Sequence, residues 1–99
     1  MSEDERLLSR IIWLSVGGKL RESYEICKEH GFKFGWCLNL KRFFGETDRI
    51  HFMRTDILLK ALYSGITTEK ERKELRHVIK YLGDIPLNAI LIEKLKSKI

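Results

Sequence analysis

Cys27, His30, Cys37 and His51 are the side chains through which this chain could hold a metal or react as a thiol. Zinc takes four nitrogen or sulfur ligands in a tetrahedron, usually from two close-spaced pairs. Cys27 and His30 form one such pair, with two residues between them, but Cys37 and His51 do not form the second. The spacing favours a core cysteine, with His30 complementing the negative end of a helix. A Cys27–Cys37 disulfide ranks ahead of zinc, because hyperthermophile interiors tolerate disulfides. It still ranks behind the free thiol. The three His, the Ser and the scattered carboxylates show no nucleophile–base spacing. There is no phosphate loop, GxSxG or HExxH either. No catalytic residue, metal or cofactor is assigned, and the expectation is a protein that is not an enzyme.

Recognition of nucleic acid is the second chemistry to weigh. Gly31, Phe32 and Phe34 resemble the aromatic strand with which RNA-recognition motifs stack bases. Lys33 stands where that motif wants a small residue and Gly35 where it wants an aliphatic one. Helices also precede the segment, where a first strand should be. Lys33, Lys41, Arg42, Arg49 and Arg54 surround these aromatic residues, which suits stacking on a single strand. The competing use is burial of Phe32, Phe34 and Trp36, since so short a chain has few large apolar residues to spare. Further on, Arg72, Arg76 and Lys80 recur every four residues and form one basic helical stripe. Glu69, Glu71 and Glu74 offset part of that charge, and no helix-turn-helix signature accompanies it.

The elements that must carry these residues are mostly helical. Ser2 and Glu5 form a capping box ahead of an apolar stripe through Leu7, Leu8, Ile11, Ile12 and Leu14. A turn at Gly17-Gly18 leads to a second helix with Leu20, Tyr24 and Cys27 on one face, ending at His30-Gly31. From Phe32 to Leu40 apolar and other residues alternate, the period of a strand. A helical face through Trp36, Leu40, Phe43 and Phe44 competes over its later part. Turn chemistry at Gly45–Asp48 and a return through Ile50 and Phe52 predict a β-hairpin at about 32–54. Thr55 then caps a short helix with Leu58, Leu59 and Leu62. Thr68 and Glu71 open another with Leu75, Val78, Ile79 and Leu82. Ile85-Pro86 starts the last, with Leu87, Ile90, Leu91, Leu95 and Ile99. The expected fold is a single α+β domain over 1–99, about five helices around a central hairpin.

Composition sets the outer bounds. The chain has 99 residues, 43% hydrophobic and 33% charged, and a net charge of +5 with a pI near 9.4. Leu and Ile are abundant enough to exclude a disordered chain. No apolar run reaches the ~20 residues of a membrane span, and the first residues are acidic rather than basic. A soluble cytoplasmic protein is the expectation. There is no Gln and only Asn39 and Asn88, while Lys, Arg and Glu are plentiful, the bias of hyperthermophile proteins. That bias predicts melting above ~90 °C.

In length and in this amide-poor, Ile-, Lys- and Glu-rich character the whole chain resembles the small orphan proteins of filamentous viruses that infect thermoacidophilic archaea. The resemblance implies a heat- and acid-resistant protein in the host cytoplasm. It carries no motif and transfers no functional residue.

The leading expectation is a thermostable protein–protein interaction module, pairing with another protein or with itself. Phe43, Phe44, Phe52 and Met53 would form the aromatic patch of a homodimer around the hairpin edge. The rival is a monomer in which Leu87, Leu91 and Leu95 close over the hairpin. The alternative function is weak, sequence-indifferent nucleic-acid binding through Lys33, Lys41, Arg42, Arg49, Arg54, Arg72, Arg76 and Lys80.

Overall fold

The computed structural model describes residues 3–32 and 54–97. Five helices occupy them: α1 (Glu3–Val16), α2 (Leu20–Glu29), α3 (Thr55–Tyr63), α4 (Glu69–Tyr81) and α5 (Pro86–Lys96). None is long and apolar enough to cross a membrane.

α1 and α2 form a helical hairpin. The turn works because Gly18 takes φ +83°, which a residue with a Cβ resists. Gly18 N–H then bonds Ser15 O and Lys19 N–H bonds Leu14 O, the paired bonds that close a helix end. Leu8 and Ile11 are buried on α1; Leu20, Tyr24 and Cys27 are buried on α2. Between the helices Ser15 Oγ donates to Ser23 Oγ at 2.8 Å, and Ser23 Oγ donates onward to Ile11 O at 3.2 Å. The relay leaves neither buried hydroxyl unpaired, which would cost about 1–3 kcal/mol.

α3 is the hub and packs on α2, α4 and α5. Ile57, Leu58 and Leu59 are fully buried and Leu62 nearly so, as a helix surrounded on several sides requires. Its first turn departs from expectation. Thr55 is not the cap: Arg54 precedes the helix in the left-handed conformation at φ 57°. Thr55 Oγ1 instead donates to Asn88 Oδ1 at 2.6 Å, and Asn88 Nδ2 donates to Leu82 O at 3.0 Å. One buried amide thereby ties the start of α3 to the end of α4 and the start of α5.

α4 opens with the expected capping box. Thr68 Oγ1 accepts from Glu71 N–H at 3.1 Å, and Glu71 Oε1 accepts from Thr68 N–H at 3.2 Å. α5 opens with Pro86 in its first turn and buries Leu87, Leu91 and Ile92.

The expected α+β class is corrected: among the described residues the protein is all-helical, with no strand. The hairpin segment itself, 33–53, lies outside the described residues, as does the Ser2 cap. The two ends of the expected hairpin show why the strand reading fails there. Phe32 sits at φ 51° and Arg54 at φ 57°, both far from the extended region of a strand. Phe32 is turned back onto the helices, its ring 5.7 Å from that of Tyr24.

Candidate interaction surfaces

The residues with chemical potential fall into four places. The first is the core junction of α2 and α3. Cys27 is fully buried and free, and burial together with the nearby Asp56 charge pushes its thiol up to about 12. A thiol held protonated in this way is inert at neutral pH. Asp56 is 1% exposed, and neither carboxylate oxygen has a hydrogen-bond partner among the described residues. Burial drives its pKa up to about 7, against a smaller downward pull from the N–H groups of Ile57 and Asp56 and from Arg54. No group of three or more His, Cys, Asp or Glu converges on a metal position among the described residues. The free Cys27 is not in the candidate disulfide, and Cys37 and His51 lie outside the described residues, so a second ligand pair is not described.

The second place is a polar cavity of about 520 Å³ between α3 and the start of α4. Arg54 pairs with Glu74 and Lys60 with Glu71, while the Lys60 ammonium also lies 5.2 Å from the centre of the Phe32 ring. The Lys60 hydrogen bond, with those of Thr68, holds the Glu71 carboxyl down to about 2. These ion pairs clamp α4 to α3.

The third place is the end of α4 against α5. A Cβ at Gly83 would stand 2.7 Å from Ile79 O and 3.4 Å from Ile92 Cδ1, so only glycine lets the chain pass here. The close approach leaves a groove of about 260 Å³ with Ile79, Ala89 and Ile92 in its walls and Asp84, Glu93 and Lys96 at its rim. Ile79 is 45% exposed, Ile90 52% and Tyr81 64%. The sequence places Ile79 and Ile90 on inward stripes. The structure turns both outward, because Val78 and Leu91 beside them take the buried positions.

The fourth place is the outer face of α1, where Arg6 and Arg10 are exposed and Trp13 is 74% exposed. Their spacing of four and three residues, opposite Leu8 and Ile11, is the signal that marks the face in the sequence.

Of the residues expected to bind nucleic acid or a second copy, Arg54, Arg72, Arg76 and Lys80 are described, and each has a partner within the chain. Arg72 Nε and Arg76 Nη2 both donate to Glu69, at 3.1 and 3.0 Å. Hydrogen bonds from Arg76 and then Arg72 hold the Glu69 carboxyl below its ordinary range. Lys80 lies over the Tyr81 ring at 5.1 Å, and Arg54 is committed to Glu74. Lys33, Lys41, Arg42 and Arg49, and the expected interface residues Phe43, Phe44, Phe52 and Met53, lie outside the described residues. Leu87 and Leu91 are spent in the core beside α3.

No protein-family model, curated protein or solved structure matches the chain, so no relative supports a function or the resemblance to viral proteins.

Proposed function

We propose that this protein is a non-enzymatic interaction module that pairs with a second copy of itself through the α4–α5 face. The observation that carries the reading is the exposure of Ile79 in the wall of the α4–α5 groove and of Ile90 on α5, the helix that forms its other wall. Large apolar side chains gathered at one place mark interfaces, whereas scattered ones do not. The charges around them suit self-pairing. Asp84 and Lys96 stand six positions either side of Ile90. Two α5 helices laid antiparallel across Ile90 bring each Asp84 toward Lys96 of the second copy. Lys96 gives up only an exposed contact with Glu93 at 3.4 Å, and such pairs contribute little. α5 alone is about 16 Å long, so Ile79 of α4 and the groove beside it must join the contact to reach the ~800 Å² per partner of a stable interface.

Light scattering at micromolar concentration tests this. Expected is twice the chain mass of 11.7 kDa, falling to one chain mass in Ile90→Glu with helical content unchanged. A monomer at every accessible concentration rejects the reading, and so does a dimer that Ile90→Glu leaves intact.

A further inference from the structure

A different face carries a different partner. α1 is anchored from inside by Leu8, Ile11 and Ser15, so its outer face is presented on a packed helix. Arg6, Arg10 and Trp13 follow one another there at i, i+4 and i+7, within one narrow stripe. Six arginines lie in the described residues, and four of them have a carboxylate partner. Arg21 holds Glu25, Arg54 holds Glu74, and Arg72 and Arg76 share Glu69. Arg6 and Arg10 have none among the described residues. Beside them stands Trp13, the most exposed of the large apolar side chains described.

We propose that this face binds single-stranded nucleic acid, with Trp13 stacking on a base and Arg6 and Arg10 each contacting a backbone phosphate. Four residues of helix separate the two guanidinium groups by about 6 Å along the axis. That spacing is on the scale of successive phosphates in an extended strand. An unpaired guanidinium meets phosphate without first breaking an internal ion pair. An aromatic ring accepts any base, because every base has a π-face. Glu3 lies on the stripe at its far end from Trp13, and Arg10, one turn from the ring, is the charge nearest to it along the stripe. A duplex keeps its bases stacked away from Trp13. An acidic peptide offers no rings to stack, and a membrane would find only Trp13 and Val16 to insert. The inference does not depend on self-pairing through α4–α5.

Fluorescence anisotropy of a labelled oligothymidylate of about twenty nucleotides, titrated with the full chain at about 50 mM salt, tests the proposal. Trp13→Ala should weaken binding at least about fivefold, while Trp13→Phe, which keeps a stacking ring, should stay within about threefold. Arg6→Ala with Arg10→Ala should weaken it at least about tenfold and flatten the salt dependence by roughly 0.7 per arginine in log–log slope. Arg72→Ala with Arg76→Ala should change it less than Arg6→Ala with Arg10→Ala does, since Glu69 offsets part of their charge. Circular dichroism of each variant checks that α1 is intact, and the Trp13→Phe arm separates loss of the ring from loss of the fold. No binding at low salt overturns the proposal. So does indifference to Trp13→Ala, or equal affinity for a duplex, poly-glutamate or anionic vesicles.

Discussion

α1 and α4 carry nearly the same cation spacing and end in different states. On α1, Arg6 and Arg10 stand four residues apart, both exposed and without an ion-pair partner among the described residues. On α4, Arg72 and Arg76 stand four apart and are both folded onto Glu69. Spacing alone places cations on a face. Glu3 stands three and seven residues before Arg6 and Arg10, the register Glu69 keeps to Arg72 and Arg76, but among the described residues only the Glu69 pairs form, and pairing decides which cations can meet an external anion. The same rule governs the carboxylates. Glu69 and Glu71 are pulled down by the cations that reach them, and Asp56 is pushed up because the core around it supplies none of comparable strength.

The largest effect should come from breaking what holds the two faces in place. Leu58 is fully buried in α3, the helix both halves pack on, and Leu58→Ala should cost about 2–5 kcal/mol. Denaturant unfolding should show one cooperative transition moved to lower concentration. Two separate transitions would show that the α1–α2 and α4–α5 halves fold independently.

Next in size is the pH response of Asp56. Its pKa is about 7 in the folded protein and ordinarily 3.8. Between those values the folded state holds a proton that the unfolded chain has released, so stability falls as pH rises from about 4 to about 7. The whole span is at most about 4 kcal/mol. Glu71 acts with the opposite sign: its folded value of about 2 lies below the ordinary 4.5, so its contribution is lost as pH drops below about 4.5. Stability should therefore peak at mildly acid pH. Asp56→Asn should remove the fall between pH 4 and 7 and leave the acid-side fall; a wild-type curve that rises toward pH 7 would refute the burial argument.

A smaller effect belongs to the cap that aims α4. Thr68→Ala removes the acceptor for Glu71 N–H and should cost about 1–2 kcal/mol. Measured by thermal unfolding, a change within error would mean that the Lys60–Glu71 pair holds this end unaided.

Most of the helical order is legible in the sequence, because turn and cap residues act locally. Gly17-Gly18, the Thr68–Glu71 box and Pro86 each mark a boundary that the structure keeps. Among the described residues the α+β expectation gives way to helices, because alternation that starts at Phe32 specifies a face, not the backbone that presents it. At Phe32 the left-handed turn after Gly31 decides otherwise. Thr55 has the chemistry of a cap but finds Asn88, a partner 33 positions away that no local rule anticipates. Ile79 and Ile90 show a related limit. An apolar stripe wider than the space its neighbours leave must expose one flank, and only the packing chooses which. The Arg6–Arg10–Trp13 face was readable from spacing, since it is the complement of the Leu8–Ile11 stripe. Its lack of an ion-pair partner among the described residues was not.

The most direct measurement moves the free arginines from one helix to the other. In a chain carrying Arg6→Ala and Arg10→Ala, Glu69→Gln removes the carboxylate that ties down Arg72 and Arg76. Oligothymidylate anisotropy at low salt should then recover at least about threefold of the lost affinity, with a salt slope restored by roughly 0.7 per released arginine and no dependence on Trp13. Affinity that stays at the level of the double arginine variant would contradict the claim that ion pairing decides which basic face is available.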